Sequence, residues 1–385
     1  MRLKYTMQTV VLSLSLSLGL SLFTLPARAQ TGSPVSVNGI NYVPTSGTTI
    51  STVGNSPISG RAVQVFNGGT LFGANDWTLS TSGNGVDGAL FVQAASFSGT
   101  NLNVSTTGSS SNGLLISARS TVTLTGGTIT TQGDASNGFS VSTTSVLTFS
   151  GVSVSTSGSG ASGVFENNLG SVTASGVNIS TSGSDAHGIH VQIGSTFSGT
   201  DVNIQTTGAN AHAIYINNNG GVSITGGTLT TMDTTAAGIM MVNNGTATLS
   251  NVAVNVAGDF VSSISGVHTV TFDNVQGTIG ANVLNAVGGI NTLNLQNSAL
   301  GGNLTNSGTS AVSAVNLVSG TLAGAANRTG GTLNVSVDSA SEWVVNASST
   351  LSNLTNQGVV DMHTSGALRH LSVTNFTQAR ALRLP

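Results

Sequence analysis

Three of the six histidines, His187, His190 and His212, are spaced so that a fold could bring them together. Imidazoles at close range can hold zinc or copper, which makes this trio the first candidate for a metal site. His268, His363 and His370 have no comparable partners. The acids Asp76, Asp87, Asp134, Glu166, Asp185, Asp201 and Asp233 stand isolated. A glycosidase needs two carboxyl groups about 5–9.5 Å apart. The best-related pair, Asp134 and Asp185, would sit two strand spacings apart, about 10 Å, with no arginine aligned to them. Such acids read more simply as turn residues accepting backbone N–H groups. GxSxG, Walker-type and HExxH motifs are missing, as are the calcium-binding G-G-x-G-x-D nonapeptide and any cysteine nucleophile. The expectation is a chain that is not an enzyme and carries no cofactor or metal, with the three histidines as weak metal candidates.

What positions these residues is a repeat. Gly83, Gly108, Gly133, Gly158, Gly183, Gly208, Asp233 and Gly258 recur every 25 residues. Two residues before them come Thr81, Thr106, Thr131, Thr156, Thr181, Thr206, Thr231 and Val256, and four before come Leu79, Val104, Ile129, Val154, Ile179, Ile204, Leu229 and Val254. Within each unit apolar and polar residues alternate, as in Val152-Ser-Val154, which is the periodicity of a strand with one buried face. A 25-residue unit of short strands and glycine turns cannot bury its own apolar face. Stacking copies about 4.8 Å apart can, and it makes every column a ladder of like residues. Leucine-rich repeats need a consensus that is absent, and propeller blades need about 40 residues or more. The expected fold is all-β, a right-handed parallel β-helix of roughly a dozen coils. His187 and His212 then fall one coil apart, in a turn column that also holds Asp87, Asn112, Asn137 and Ser162.

Composition agrees. Charged residues are 5% of the chain, glycines number 51, and cysteine is absent, which excludes disulfide staples. Arg2 and Lys4, the apolar stretch Val10–Leu25 and Ala27-Arg28-Ala29 read as a signal peptide over 1–29, with Gln30 first in the mature chain. Beyond it, six arginines face twelve carboxylates, a net of −6, so nucleic acid is not an expected partner. No later run reaches the roughly 20 apolar residues of a membrane-spanning helix. The expected organisation is a cap over 30–60, regular coils over 61–276, less regular coils over 277–377, and a tail of different composition over 378–385. In the less regular part Leu293-Asn-Leu295, Val315-Asn-Leu317 and Leu333-Asn-Val335 keep the alternation.

The strand parity sorts surface from interior. Asn103, Ser105, Thr107, Thr128, Thr130, Ser153, Ser155, Asn178 and Ser180 should face outward as a nearly uncharged surface. Such a surface could hydrogen-bond to a second copy, a host surface or glycans. The threonines of the Thr81 column share the parity of the buried aliphatics, which argues against an ice-binding face built from them. A second column, Leu90, Leu115, Phe165, His190, Tyr215 and Met240, is also expected outside; Phe165 and Tyr215 are its candidate contact residues.

Near the C-terminus, Glu342-Trp343-Val344-Val345 and Ser349–Val360 resemble the "W-x-V…S-x-L-x-x-L-x-N-x-G-x-V" passage of pertactin-type autotransporter passengers. Arg369–Thr377 resembles the coil that follows in that family. The resemblance covers about 35 residues by motif and the mature chain loosely, as β-helix. It implies a surface or secreted passenger, adhesive or self-associating, of the kind linked to virulence, delivered through the outer membrane by its own C-terminal barrel. An Arg-Gly-Asp element is missing. The family's glycine-rich continuation and barrel do not follow Thr377, which leads to the expectation of a truncated chain that unaided would reach the periplasm. An ice-binding solenoid and a polysaccharide lyase or hydrolase remain the alternatives.

Overall fold

A computed structural model describes residues 34–55, 60–363 and 369–378. The expected signal peptide and all of the expected tail but Gln378 lie outside those residues. The chain forms two compact units, 1–173 and 174–385, which are described in turn. All the strand pairings detailed below are parallel.

In the first unit each coil has three faces, as residues 112–131 illustrate. The strand Asn112–Ser117 makes the first face. The strand Thr121–Thr131 makes the other two, bending at Gly126 and Gly127, whose φ values of +65° and +97° favour glycine. Each residue pairs with its counterpart one coil on: Leu79, Val104, Ile129 and Val154 form one column, with Ile50 beneath them. All five are at most 2% exposed. Strands Val35–Asn38, Asn41–Tyr42 and Thr49–Thr52 pair with Val63–Phe66, Thr70–Leu71 and Thr78–Thr81, so the segment expected as a cap itself carries a coil.

The constant spacing has a steric cause at the glycine column. A Cβ on Gly108, Gly133 or Gly158 would lie 1.9–2.0 Å from the carbonyl oxygen of the matching glycine one coil back. The stacked turns are closer there than any side chain allows. The threonine column points inward, as its parity required, and Thr81, Thr106, Thr131 and Thr156 are at most 3% exposed. A hydroxyl belongs there because Thr106, Thr131 and Thr156 donate to the carbonyls of Ser111, Ser136 and Ala161 at 2.7, 2.5 and 2.5 Å. These bonds satisfy a corner that no ladder bond reaches.

One column is corrected. Leu90 pairs with Val63 and Leu114 and is fully buried, while Phe91 stands beside Gln64 and Leu115 in the flanking column. The step from Leu90 to Leu114 is one residue shorter than the repeat, and a one-residue slip exchanges the two faces of a strand.

The second unit keeps the three faces. One interior column runs through Phe197, Val222, Ala247, Val270, Leu293, Val315, Val335, Leu354 and Phe376 without a break. The coils shorten after Ile239, whose column continues at Val261, Leu284, Leu304 and Ala326. Trp343 fills the interior of a short coil, fully buried, with Nε1 donating to the Gly324 carbonyl at 3.0 Å.

Gly133→Ala should lower the unfolding free energy by about 1–3 kcal/mol through overpacking. Thr131→Val, which keeps the shape but orphans a buried carbonyl, should cost about 1–3 kcal/mol. Urea denaturation followed by circular dichroism measures both; an unchanged midpoint for Gly133→Ala would contradict the close stacking.

Candidate functional site

The histidine trio assembles, but as a stack of rings. In the second unit His187 and His212 lie with centroids 5.1 Å apart and planes 9° from parallel, and Tyr215 stacks on His187 at 4.6 Å and 6°. His190 meets Tyr215 edge-on at 4.7 Å. Register explains this, since His190 and Tyr215 pair directly across neighbouring coils. The Nδ1 of His187 accepts the His212 backbone N–H at 3.2 Å, and the Nδ1 of His212 accepts that of Ala237 at 2.8 Å. A metal needs lone pairs converging on one point. Here two of them are spent on the backbone, and near-parallel rings direct the remaining nitrogens side by side. Among the described residues no group of three or more His, Asp or Glu side chains is placed to hold a metal ion.

The same column explains its tolerance for different residues. In the first unit Asn112 and Asn137 use Oδ1 to accept the N–H of Asn137 and Ser162 at 2.9 and 2.8 Å. In the second, Asp259 and Asn303 accept from Asn282 and Ala325. Histidine Nδ1 and asparagine Oδ1 sit at the same reach from the backbone, so either closes the corner. Burial and the neighbouring His212 and His190 push the His187 pKa down to about 2. Burial takes His190 to about 4, and His212 to about 4 despite the opposing charge of Asp185. His268 is buried too, its Nε2 2.6 Å from the Ser265 carbonyl oxygen.

Several of the acids act as local acceptors. Asp76 takes bonds from Ser46 and Asn101, which lower its pKa, and Asp134 accepts the Ser159 N–H at 2.9 Å. Asp233 is tied to Thr235, which likewise lowers its pKa, and Asp87 pairs with Arg61, whose guanidinium lies over the Phe91 ring. Glu166 departs from the turn reading. It continues the interior column Val37, Val65, Val92, Ile116 and Val141, is fully buried, and neither carboxylate oxygen has a hydrogen-bond partner. Burial holds its pKa well above the usual carboxylate range, so it is carried as the neutral acid.

The expected contact residues stand outward on the third face. In the first unit Thr107, Thr128, Ser153 and Ser155 are exposed and Asn103, Ser105 and Thr130 half-buried, with Thr128 donating to Asn103 Oδ1 at 2.8 Å. In the second, Asn178 and Ser180 join Asn203, Gln205, Thr228 and Thr230 around a shallow trough of about 250 Å³. Its amides form a ladder, Asn203 donating to Asn178 at 3.0 Å and accepting from Thr228 at 2.9 Å. Phe165 and Tyr215 are half-buried rather than free. Sequence reasoning passed over the second face. Thr121, Thr123 and Thr125 in the first unit, and Thr196, Ser198, Thr200, Ser223, Thr225, Thr246 and Thr248 in the second, all point outward and are exposed. The alternation Thr121-Val-Thr123-Leu-Thr125 carried that signal.

No protein-family model matches the sequence, and no curated protein is similar to it. Among solved structures the chain is similar to one from the Vag8–C1 inhibitor complex, at 16% identity and a TM-score of 0.44, over 90% of this chain and 100% of that one. A likeness of that size carries no conclusion about function.

The imidazoles must be neutral in the fold, so the stability they contribute is complete above about pH 6.5 and is lost as pH falls towards their depressed values. Each should cost about 1.4 kcal/mol per pH unit on that descent. The double variant His187→Asn, His212→Asn retains both acceptors and should flatten the fall in urea midpoint between pH 7 and 5; an unchanged slope would refute the ladder. Glu166 has the opposite sign, its contribution complete below about pH 4.5 and lost as pH rises towards its raised value. Glu166→Gln should remove a decline in stability as pH rises above about 4.5, and Glu166→Val should add about 1–3 kcal/mol.

Proposed function

We propose that this chain is an exported, non-enzymatic surface or secreted protein of the autotransporter-passenger kind, whose solenoid serves as a contact surface. The observation that carries this reading is the lateral trough, where Asn178, Ser180, Asn203, Gln205, Thr228 and Thr230 surround Ile179 and Ile204 with amides and hydroxyls and no charged group. Without charge, such a grid meets a glycan or a second copy without repulsion. It spans three coils, so an extended partner crossing them meets an uncharged hydrogen-bonding side chain at each step. The passages Glu342–Val345, Ser349–Val360 and Arg369–Thr377 support the passenger reading by their resemblance. The Val10–Leu25 stretch and Ala27-Arg28-Ala29 support export.

Produced with its leader in a Gram-negative host, the chain should leave the cytoplasm and begin at Gln30 by N-terminal sequencing. Asn203→Asp combined with Gln205→Glu should weaken binding to immobilised polysaccharide or cell clumping by roughly tenfold. Binding equal to wild type would remove the trough from the proposal, and release of reducing ends or unsaturated sugars would overturn the non-enzymatic assignment. The second face favours one other reading. Its rows of exposed Thr and Ser offer regularly spaced hydroxyls that could order water, although Val146 and Gly221 interrupt them. Thermal hysteresis of the purified protein, abolished by Thr248→Lys, would establish an ice-binding role in its place.

A further inference from the structure

We propose that an outward ridge of aliphatic side chains in the second unit, Ile264, Val267, Val287, Ile290 and Val312, is a dimerisation surface whose partner is the same ridge of a second copy of this chain. All five are between 39% and 55% exposed. Val267, Ile290 and Val312 stack in register on three successive coils. Ile264 and Val287 follow the paired Ser263 and Ala286 on the other side of the same corner. Coils continue in register before and after these three, so the ridge lies on the flank of the stack.

The strands are reversed in polarity here. Beside the exposed aliphatics, His268, Asn291 and Ser313 point inward and are at most 4% exposed. The inward residues have a local reason. The His268 ring meets the Ser265 carbonyl, Asn291 donates to the Gly288 carbonyl at 3.0 Å, and Ser313 donates to Asn306 Oδ1 at 2.7 Å. Packing within the coils gives no such reason for the aliphatics outside. Asn244 stands one coil before Val267 and Thr332 follows Val312 in register, so a polar residue serves at this position on either side of the ridge. A contiguous exposed apolar patch of this kind marks a contact surface.

Spacing selects the occupant. Stacking sets the aliphatics about 4.8 Å apart, whereas one face of an extended strand repeats every ~6.6 Å and a helix turns every ~5.4 Å. Another stack of coils matches, and a second copy brings the identical spacing. With a two-fold axis at Ile290 the two stacks lie antiparallel, so that Ile290 meets its counterpart and Val267 meets Val312 of the second copy. Such a contact is isologous and closes at two. Residues 264–269, 287–292 and 309–314 hold no Asp, Glu, Lys or Arg, so the copies meet without repulsion. Five side chains about half exposed offer on the order of 400 Å² per copy, and a rim of Asn244, Thr269 and Thr292 brings the pair to the roughly 1,000 Å² of a specific but weak interface. This contact is separate from the lateral trough and does not depend on the functional reading.

Sedimentation of the purified chain should show a monomer–dimer equilibrium. Val267→Thr combined with Ile290→Thr keeps strand-forming residues, and should weaken the dimer by roughly tenfold or more while leaving the circular dichroism spectrum unchanged. Because the chain has no cysteine, Thr292→Cys provides a second readout that leaves the aliphatic columns intact. A short bismaleimide should couple it into a dimer and should not couple Ser180→Cys. A chain that stays monomeric at the highest attainable concentration would overturn the proposal. Open-ended polymers would also overturn it, as would a dimer that survives the double threonine variant but is lost with Asn203→Asp and Gln205→Glu, which would assign association to the trough.

Discussion

The structure depends on one constraint: each residue must sit directly above its counterpart in the coil before, at the spacing of paired strands. Parallel pairing in register leaves no freedom to offset unlike residues, so each position is chosen against a copy of its own environment. The glycine column shows the constraint at its tightest. Matching turns stack so closely that a single methyl on Gly133 would enter the carbonyl of Gly108. Elsewhere the same stacking produces aliphatic ladders, and an aliphatic ladder is a core.

Polar groups obey the rule in a different way. The turns leave backbone N–H and C=O groups that no strand ladder satisfies, and side chains answer them coil after coil. Thr131 serves a carbonyl within its own coil, while Asn112 and His187 serve an N–H in the next. The choice between asparagine and histidine is thus a choice between two acceptors of equal reach. Their chemical consequences differ. Asparagine is indifferent to pH, whereas stacked imidazoles kept neutral by burial tie part of the second unit to neutral or alkaline conditions. A cluster that resembles a metal site in spacing is a structural corner in geometry.

Glu166 breaks the rule, since it places a carboxyl group in a column of valines and isoleucine. The fold accommodates it as the neutral acid, at the expense of two unsatisfied oxygens. The outer faces carry the opposite bias. They are neutral by composition, rich in hydroxyls and amides, and satisfied in part by their own ladders. Such surfaces gain little from any single contact and much from many repeated ones, which suits extended or multivalent partners better than a compact ligand.

The sequence alone determined the architecture, because a 25-residue period combined with alternation of two admits few ways to bury its apolar residues. It also determined the inward threonines and the outward Asn103 and Asn178, since strand parity follows directly from counting. Counting failed wherever the period changed by a residue, as at Leu90, because one missing residue exchanges inside for outside. The tertiary structure alone decided the fate of His187 and His212, for spacing brings rings together but does not say which way their nitrogens point. The column of Glu166 was also open to counting, since it stands 25 residues after Val141 and 25 before Val191, but its acidic type made it read as a turn residue, and the structure showed it buried.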